Sequence, residues 1–200
     1  ALVRGLTPTT YGINESQDIF EFDITHHIKA TDFGAGVRYE TANLDDNKRI
    51  SQFPGEPNQR DITDREGTTY DMLSVHAFSE TWFRKDLLLS LGFLYDNQDG
   101  NYSGSRIYGD DFDVPYMPNA LNGLGYFDLA GSFNRDDYVL NANLLSTGIK
   151  DLAIIPSLRV QKADWNADSS GIGTQGTSTE PFTGNADRDF LDVRERLEAH

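Results

Sequence analysis

Runs in which apolar and polar residues alternate occur in pairs in this sequence, and a very short polar turn joins the two runs of each pair. This pattern most constrains what the chain can fold into. In the clearest pair the turn lies at 83–86, and the run that follows places Leu87, Leu89, Leu91 and Phe93 on one parity. Successive side chains of a β-strand point to opposite faces, so each such run predicts a strand with one apolar face. A short turn between two strands predicts an antiparallel pair.

The pattern occurs three times and predicts hairpins at about 18–42, 71–96 and 138–161. Each turn holds an aspartate with a basic residue nearby, which indicates an internal repeat of one hairpin per unit. Pro156 lies within the last run, and we expect a bulge there because proline cannot donate a ladder hydrogen bond.

Long polar segments separate the hairpins, and we predict extended loops at about 43–69, 97–137 and 164–189. They hold 18 acidic and 7 basic residues, so most of the net charge of −15 lies in them. Short connections at one end of the strands and long ones at the other are typical of a transmembrane β-barrel. The acidic loops also predict a preference for cations at the mouth of such a barrel.

The predicted fold class is therefore all-β, an antiparallel up-and-down transmembrane β-barrel. No run of apolar residues is long enough for a membrane helix, but a barrel strand shows lipid only every second residue. We expect residues 1–200 to form a single partial barrel domain, with six strands and a seventh beginning near 190. Because single-chain bacterial barrels have at least about eight strands, we expect a fragment of a longer barrel.

With these hairpins and loops the chain resembles bacterial outer-membrane β-barrels of the porin-like type. The resemblance implies a location in the bacterial outer membrane, contact with lipid and lipopolysaccharide, and passage of small polar solutes. The segments SGSRIYGDDFDVPY (103–116) and IPSLRVQKADW (155–165) are similar to those of the barrel sheaths of outer-membrane electron conduits. That similarity implies an alternative, a structural sheath around a partner cytochrome or lipoprotein in the lumen.

A third alternative is a soluble, secreted β-sandwich that acts as a binding or adhesion module, because alternating faces suit that fold too. The asymmetry between short and long connections argues against it. So do the small residues on the polar parity, Gly34, Gly36, Gly92 and Ala153, which suit a curved barrel interior.

Two sets of residues are candidates for function. The polar parity of the strands predicts a lumen-facing set that tunes which solutes pass: Glu21, Asp23, Arg38, Glu40, Asn141, Asn143, Arg159 and Gln161. Aromatic residues at the strand ends predict a girdle at the two water–lipid interfaces: Tyr39, Trp82, Phe83, Tyr95 and Tyr138.

Other chemistry has no support in the sequence. Motifs such as GxSxG and HExxH do not occur, so we expect no enzyme activity, and we expect no cofactor. Cysteine is absent, and neighbouring His26 and His27 must point to opposite faces of a strand, so we expect no metal site. Nucleic acid is excluded as a partner because no cluster of Lys and Arg exists.

Overall fold

The computed structural model describes residues 9–50, 62–108, 125–175 and 178–199. These ranges form one sheet of seven antiparallel strands, in which each strand pairs with the next along the chain. The bounds of the strands are Thr9–Ile28 (β1), Thr31–Ile50 (β2), Ile62–Arg84 (β3), Leu87–Tyr108 (β4), Gly125–Ile149 (β5), Leu152–Gln175 (β6) and Ser178–Ala199 (β7).

This up-and-down order confirms the predicted fold class, an all-β partial barrel. A β-sandwich needs two packed sheets, whereas every described strand lies in a single sheet. The soluble-sandwich alternative therefore does not fit the fold. Within the described ranges, no helix is long and apolar enough to cross a membrane.

The strands are longer than the sequence pattern predicts. The first pairing runs from Ile28↔Thr31 to Thr9↔Ile50, far beyond the expected end at residue 42. Much of the predicted loop 164–189 is likewise paired strand, since β6 continues to Gln175 and β7 begins at Ser178. Backbone hydrogen bonds alone build these ladders, so they do not need the apolar alternation on which the prediction rested. The central parts of the other two predicted loops, 51–61 and 109–124, lie outside the described residues.

Backbone hydrogen bonds link tight turns to the neighbouring hairpin. Lys29 and Asp151 adopt positive φ values of 56° and 59°, as the central residues of such turns require. The backbone N–H of Trp82 donates to the carbonyl of Ala30 over 2.8 Å, and that of Thr147 donates to Asp86 over 2.9 Å. The first two turns are thereby each fixed against a strand of the next hairpin, β3 and β5 respectively.

The expected bulge at Pro156 is not found. Pro156 pairs with Leu197 on β7 in regular register. The register between β5 and β6 shifts instead between Ser146 and Ile149, next to the turn. Pro156 has no paired residue on β5, so the hydrogen bond that its nitrogen cannot donate is not needed there. No extra residue is inserted into β6 at this point.

The sheet has two unlike faces, which we name from the pairing register. The outer face carries the side chains that align with Phe22, and the inner face carries those that align with Glu21. Among the described residues, every buried side chain apart from Thr63 lies on the inner face, including Glu40, Asp137 and others. Side chains therefore crowd on the inner face, as they do on the concave side of a curved sheet.

Glycine and aromatic residues share space on this crowded face. A Cβ on Gly100 would lie 2.4 Å from the ring of Phe133 on the next strand, and one on Gly34 would lie 2.6 Å from Phe78. A Cβ on Gly131 would meet a backbone oxygen at 2.2 Å. The ring fills the volume that a glycine leaves open, so the sheet can curve without overpacking.

Candidate functional site on the two faces of the sheet

The outer face carries an apolar belt that crosses all seven strands. One complete row of directly paired positions is Ile24, Ala35, Ala77, Phe93, Leu140, Val160 and Val193. These side chains are open to the surroundings: Leu140 is 49% exposed and Phe93 is 43% exposed. An apolar patch of this extent, covered by no other described part of the chain, is suited to contact with a partner or with a membrane.

Tyrosines mark the edge of the belt that faces away from the tight turns. Tyr95 and Tyr138 face each other across β4 and β5, with ring centroids 4.8 Å apart. The hydroxyl of Tyr95 donates to Asp136 over 2.8 Å, and that of Tyr39 donates to Asp71 over 3.1 Å. Each of these two rings lies along apolar residues while its hydroxyl reaches a carboxylate, the geometry of an interface residue.

Two members of the predicted girdle are placed differently. Trp82 aligns with Phe78 and Glu80 on the inner face, so it does not extend the belt on the outer face. Phe83 falls in the register shift between Trp82 and Arg84 and is 60% exposed. Trp82 precedes this shift, so the period of two itself places it on the inner face, and its assignment to the girdle rested on its position near the turn rather than on parity. The girdle role of the three tyrosines stays a prediction.

The predicted lumen-facing residues all lie on the inner face by register. Glu40 is the centre of the first cluster among them. It is only 3% exposed and accepts hydrogen bonds from Gln17, from Tyr70 over 2.8 Å and from Arg38 over 2.5 Å. A buried carboxylate needs such partners because burial otherwise penalises its charge.

A second cluster repeats this design on β5 and β6. Asp137 is 5% exposed and accepts from Arg135, two residues before it, over 2.5 Å. The side chain of Gln161 donates to Asp137 over 2.9 Å and accepts from Arg159 over 3.3 Å. In both clusters an arginine two residues upstream and a glutamine from a neighbouring strand hold one buried carboxylate. Sequence reasoning missed Arg135 and Asp137, although they have the same parity as Asn141.

The histidines have carboxylate partners that the sequence did not reveal. His76 Nε2 lies 3.0 Å from Asp23 Oδ1, and His27 Nδ1 lies 2.6 Å from Asp32 Oδ1. The partner of His76 comes from β1, two strands away, so no spacing along the sequence indicates it. Nowhere in the described ranges do three or more acidic or histidine side chains gather as a metal site would require.

Charge is distributed unevenly around the inner wall. Glu21, Asp23 and Asp32 make the β1–β2 part acidic. On the other side Arg159 directly faces Arg194 across β6 and β7, and Arg196 follows on the same face. Arg194 and Arg196 bond to carboxylates on their own strand, whereas Arg159 bonds to an amide. Arg194 and Arg196 also belong to this wall. The sequence predicted a strand near residue 190 that includes them, but they were not among the predicted lumen-facing residues. Asn141 and Asn143 line the same wall beside Arg159 and Ser157.

Further from the tight turns, the inner face holds an aromatic hollow of about 370 Å³. Tyr102, Phe133 and Trp165 contribute rings from three successive strands, and small residues such as Ala167 leave the space open. The guanidinium of Arg188 lies 5.5 Å from the ring centroid of Trp165. The sequence analysis missed this hollow because it placed these residues in loops or at the end of a strand.

The comparisons with known proteins give a likeness of fold. No family model and no curated protein matches the sequence. Chains of solved structures do match, and one is the crystal structure of the ferric yersiniabactin uptake receptor FyuA from Yersinia pestis. That match has a TM-score of 0.64 at 11% sequence identity, and it covers 94% of this chain. The chain spans about a quarter of the receptor, 26% of its length.

The structural class of the chain follows from these findings. It is a partial barrel of long antiparallel strands, with a fold like that of part of an outer-membrane receptor barrel. At this identity the likeness concerns the fold alone.

Proposed function

We propose that this chain is part of the wall of an outer-membrane transport barrel that allows small polar solutes to pass. The observation that carries the proposal is the opposition of the two faces. The outer face has an exposed apolar belt across all seven strands, whereas the inner face behind it carries exposed charges and buried carboxylates, Glu40 and Asp137, paired with partly exposed arginines. A barrel wall needs lipid on one side and water on the other, and this arrangement suits both.

The strand geometry supports the same proposal. Strands of 20 to 25 residues are about twice as long as the 9–11 residues that cross a bilayer. The apolar belt occupies the half next to the tight turns, as from Phe20 to Ile28 on β1. In outer-membrane barrels the short turns lie on the periplasmic side. The polar half of each strand then extends beyond the membrane on the outside.

The inner wall supports a role in selecting solutes. Acidic side chains lie on β1 and β2, and Arg159, whose side chain bonds to an amide, lies on β6, an uneven distribution that supports a transverse field across the inner face. Glu21, Asp23, Asn141, Asn143 and Arg159 are the groups through which this wall would act on a passing solute. The buried pairs at Glu40 and Asp137 hold their neighbours in place.

The solved neighbour is described as an uptake receptor, and its fold supports transport as the general role. Receptor-type uptake of a bound substrate is therefore a second form of the proposed function. The aromatic hollow at Trp165 favours it, since its rings offer an apolar surface that a ligand can contact. A sheath around a partner protein shares the same outer face, but no contact in the described residues favours it.

The test uses the full-length parent protein, extracted from outer membranes in detergent. A folded barrel migrates faster on a gel before heating than after, and a diffusion pore gives steady conductance in a planar bilayer. Heat-shifting with conductance is the expected result. Heat-shifting without conductance overturns free diffusion and favours receptor-type uptake or a sheath. A protein that is soluble without detergent contradicts the membrane proposal as a whole.

A further inference from the structure

The aromatic hollow on the inner face joins three rings from successive strands to a patch of small residues. Tyr102, Phe133 and Trp165 are half-buried, and Ala167 and Ala186 pair directly on β6 and β7. None of the described side chains that line the hollow carries a charge. Its volume of about 370 Å³ is at the lower end of the range for small-molecule sites, about 300–1,000 Å³, so a ligand of one or two rings fits.

Two of the rings are held in place before any ligand arrives. The side chain of Tyr102 passes over Gly131 on β5, and its hydroxyl donates to the backbone carbonyl of Asp168 on β6 over 2.9 Å. The ring of Phe133 lies over Gly100 on β4, which has no side chain to displace it. Because little conformational entropy is lost on binding to a rigid site, these rings form a preorganised apolar surface.

A guanidinium without a carboxylate partner lies at the edge of the hollow. Trp165 has Arg135 beside it on β5 and Arg188 beside it on β7. Arg135 is paired with Asp137 over 2.5 Å. Arg188 is exposed and lies 5.5 Å from the ring centroid of Trp165, and no carboxylate of the described ranges forms an ion pair with it. The positive charge of Arg188 is therefore available to a ligand that contacts the rings.

We propose that the aromatic hollow binds an aromatic carboxylate, with its ring against the three aromatic side chains and its carboxylate on the guanidinium of Arg188. The proposal rests on the proposed function, because it needs the inner face to line the path of the solute, and it names the class of solute that this wall selects. On β6 the hollow lies beyond Val160, the last apolar position of the belt. With the tight turns in the periplasm, a solute from outside reaches the hollow before the membrane-spanning part of the wall.

The chemistry of the hollow argues against other classes of ligand. A sugar needs many hydrogen-bonding groups, but both lining hydroxyls already donate within the protein, that of Tyr102 to Asp168 and that of Ser169 to the carbonyl of Gly184 over 3.4 Å. A cationic ligand is repelled by Arg188. A carboxylate instead accepts two parallel hydrogen bonds from a guanidinium, and an aromatic ring stacks against the rings of the hollow.

The test measures the binding of benzoate to the full-length protein, folded in detergent, by isothermal titration calorimetry. Matched probes each lack one feature of benzoate. Benzamide has the ring without the charge, benzylammonium has the ring with a positive charge, and cyclohexanecarboxylate has the carboxylate without an aromatic ring. Benzoate should bind more tightly than each of them.

Variants of the hollow separate the role of the charge from that of the space. Arg188→Gln should weaken benzoate binding about tenfold, as the loss of a charge-assisted hydrogen bond does, and should leave benzamide binding unchanged. Ala186→Leu keeps the guanidinium but fills the hollow, so it should weaken the binding of both probes. Arg84→Gln is the matched control, because it removes a guanidinium at a tight turn, at the other end of the strands. It should bind benzoate as the wild type does.

Equal benzoate affinity of the Arg188→Gln and Arg84→Gln variants overturns the proposal. So does benzoate binding that is no tighter than that of benzylammonium or cyclohexanecarboxylate, or that is unchanged by Ala186→Leu. Heat-modifiable migration of each variant shows that it is folded, and if Arg188→Gln does not fold, the comparison of probes on the wild type and on Ala186→Leu decides.

The same migration separates this result from the proposed function. If the wild type is a heat-shifting membrane barrel that shows no preference for benzoate, only the aromatic-carboxylate proposal fails. If it is not a membrane barrel at all, both proposals fail.

Discussion

The carboxylate of Asp23 and the imidazole of His76 lie 3.0 Å apart, although Asp23 is on β1, His76 is on β3, and β2 runs between them. They meet over Gly36, whose missing side chain leaves the space for the contact. A Cβ built on Gly36 would lie 2.0 Å from Asp23 Oδ1 and 2.4 Å from the His76 ring. The two side chains thus occupy the room that a glycine provides on the inner face.

Gly36→Ala should therefore destabilise the folded barrel by about 1–3 kcal/mol, the usual cost of overpacking. Unfolding of the detergent-solubilised protein in urea, followed by loss of the heat-shifted band, measures the change. Gly92→Ala is the matched control, because a Cβ there lies 3.9 Å from Asn141, an ordinary contact. Equal stability of the two variants would show that the Asp23–His76 contact does not need the glycine.

Glu40→Ala should destabilise the inner wall by about 1–3 kcal/mol, because it removes the acceptor of the hydrogen bonds from Gln17, Tyr70 and Arg38. The guanidinium of Arg38 is 38% exposed, so water can solvate it once its partner is lost. Glu21→Ala, an exposed carboxylate on the neighbouring strand, is the control and should change the free energy of unfolding far less. Similar urea midpoints for the two variants would contradict the assigned role of Glu40.

Two carboxylates above the belt give a pH-dependent prediction. Asp164 and Asp189 face each other on β6 and β7. Hydrogen bonding to Lys162 lowers the pKa of Asp164, whereas hydrogen bonding to Asp164 and its charge raise the pKa of Asp189.

A raised pKa in the folded state means that Asp189 favours folding at low pH, and that this contribution is lost as the pH rises through the folded pKa. Asp189→Asn should thus raise the urea midpoint slightly at neutral pH. The gain should disappear below the ordinary pKa of aspartate, where wild-type Asp189 is protonated. A gain that is constant over this range would exclude the carboxylate pair as its cause.

Arg159→Gln should shift the ion selectivity of a conducting barrel toward cations. Arg159 bonds only to an amide and directly faces Arg194, so it is the least neutralised arginine of this group on the inner wall. Lys162→Gln, a change of the same charge on the outer face, should leave the reversal potential in a salt gradient unchanged. If both variants shift it equally, the inner face does not line the path of the ions.

The period of two in the sequence was enough to predict the hairpins, the all-β class and the face on which Glu21, Arg38 and Asn141 lie. It failed above the belt, where Asp, Asn, Ser and Thr occupy the outer parity and no apolar alternation remains to distinguish a strand from a loop. It also failed at Phe83, because the register shifts between Trp82 and Arg84 beside the turn. The partner of His76 depends on the register across three strands, which no single run of residues encodes.

The central claim is that one face of the sheet contacts lipid and the other contacts water. The segment contains no cysteine, so single cysteines can be introduced on β5 of a full-length protein from which any cysteine elsewhere has been removed, and labelled with an environment-sensitive fluorophore in bilayers. Labels at Leu140 and Ala142 should be quenched by spin-labelled lipid, and labels at Asn141 and Asn143 by a water-soluble quencher. Quenching that does not alternate along these four positions would contradict the barrel-wall account.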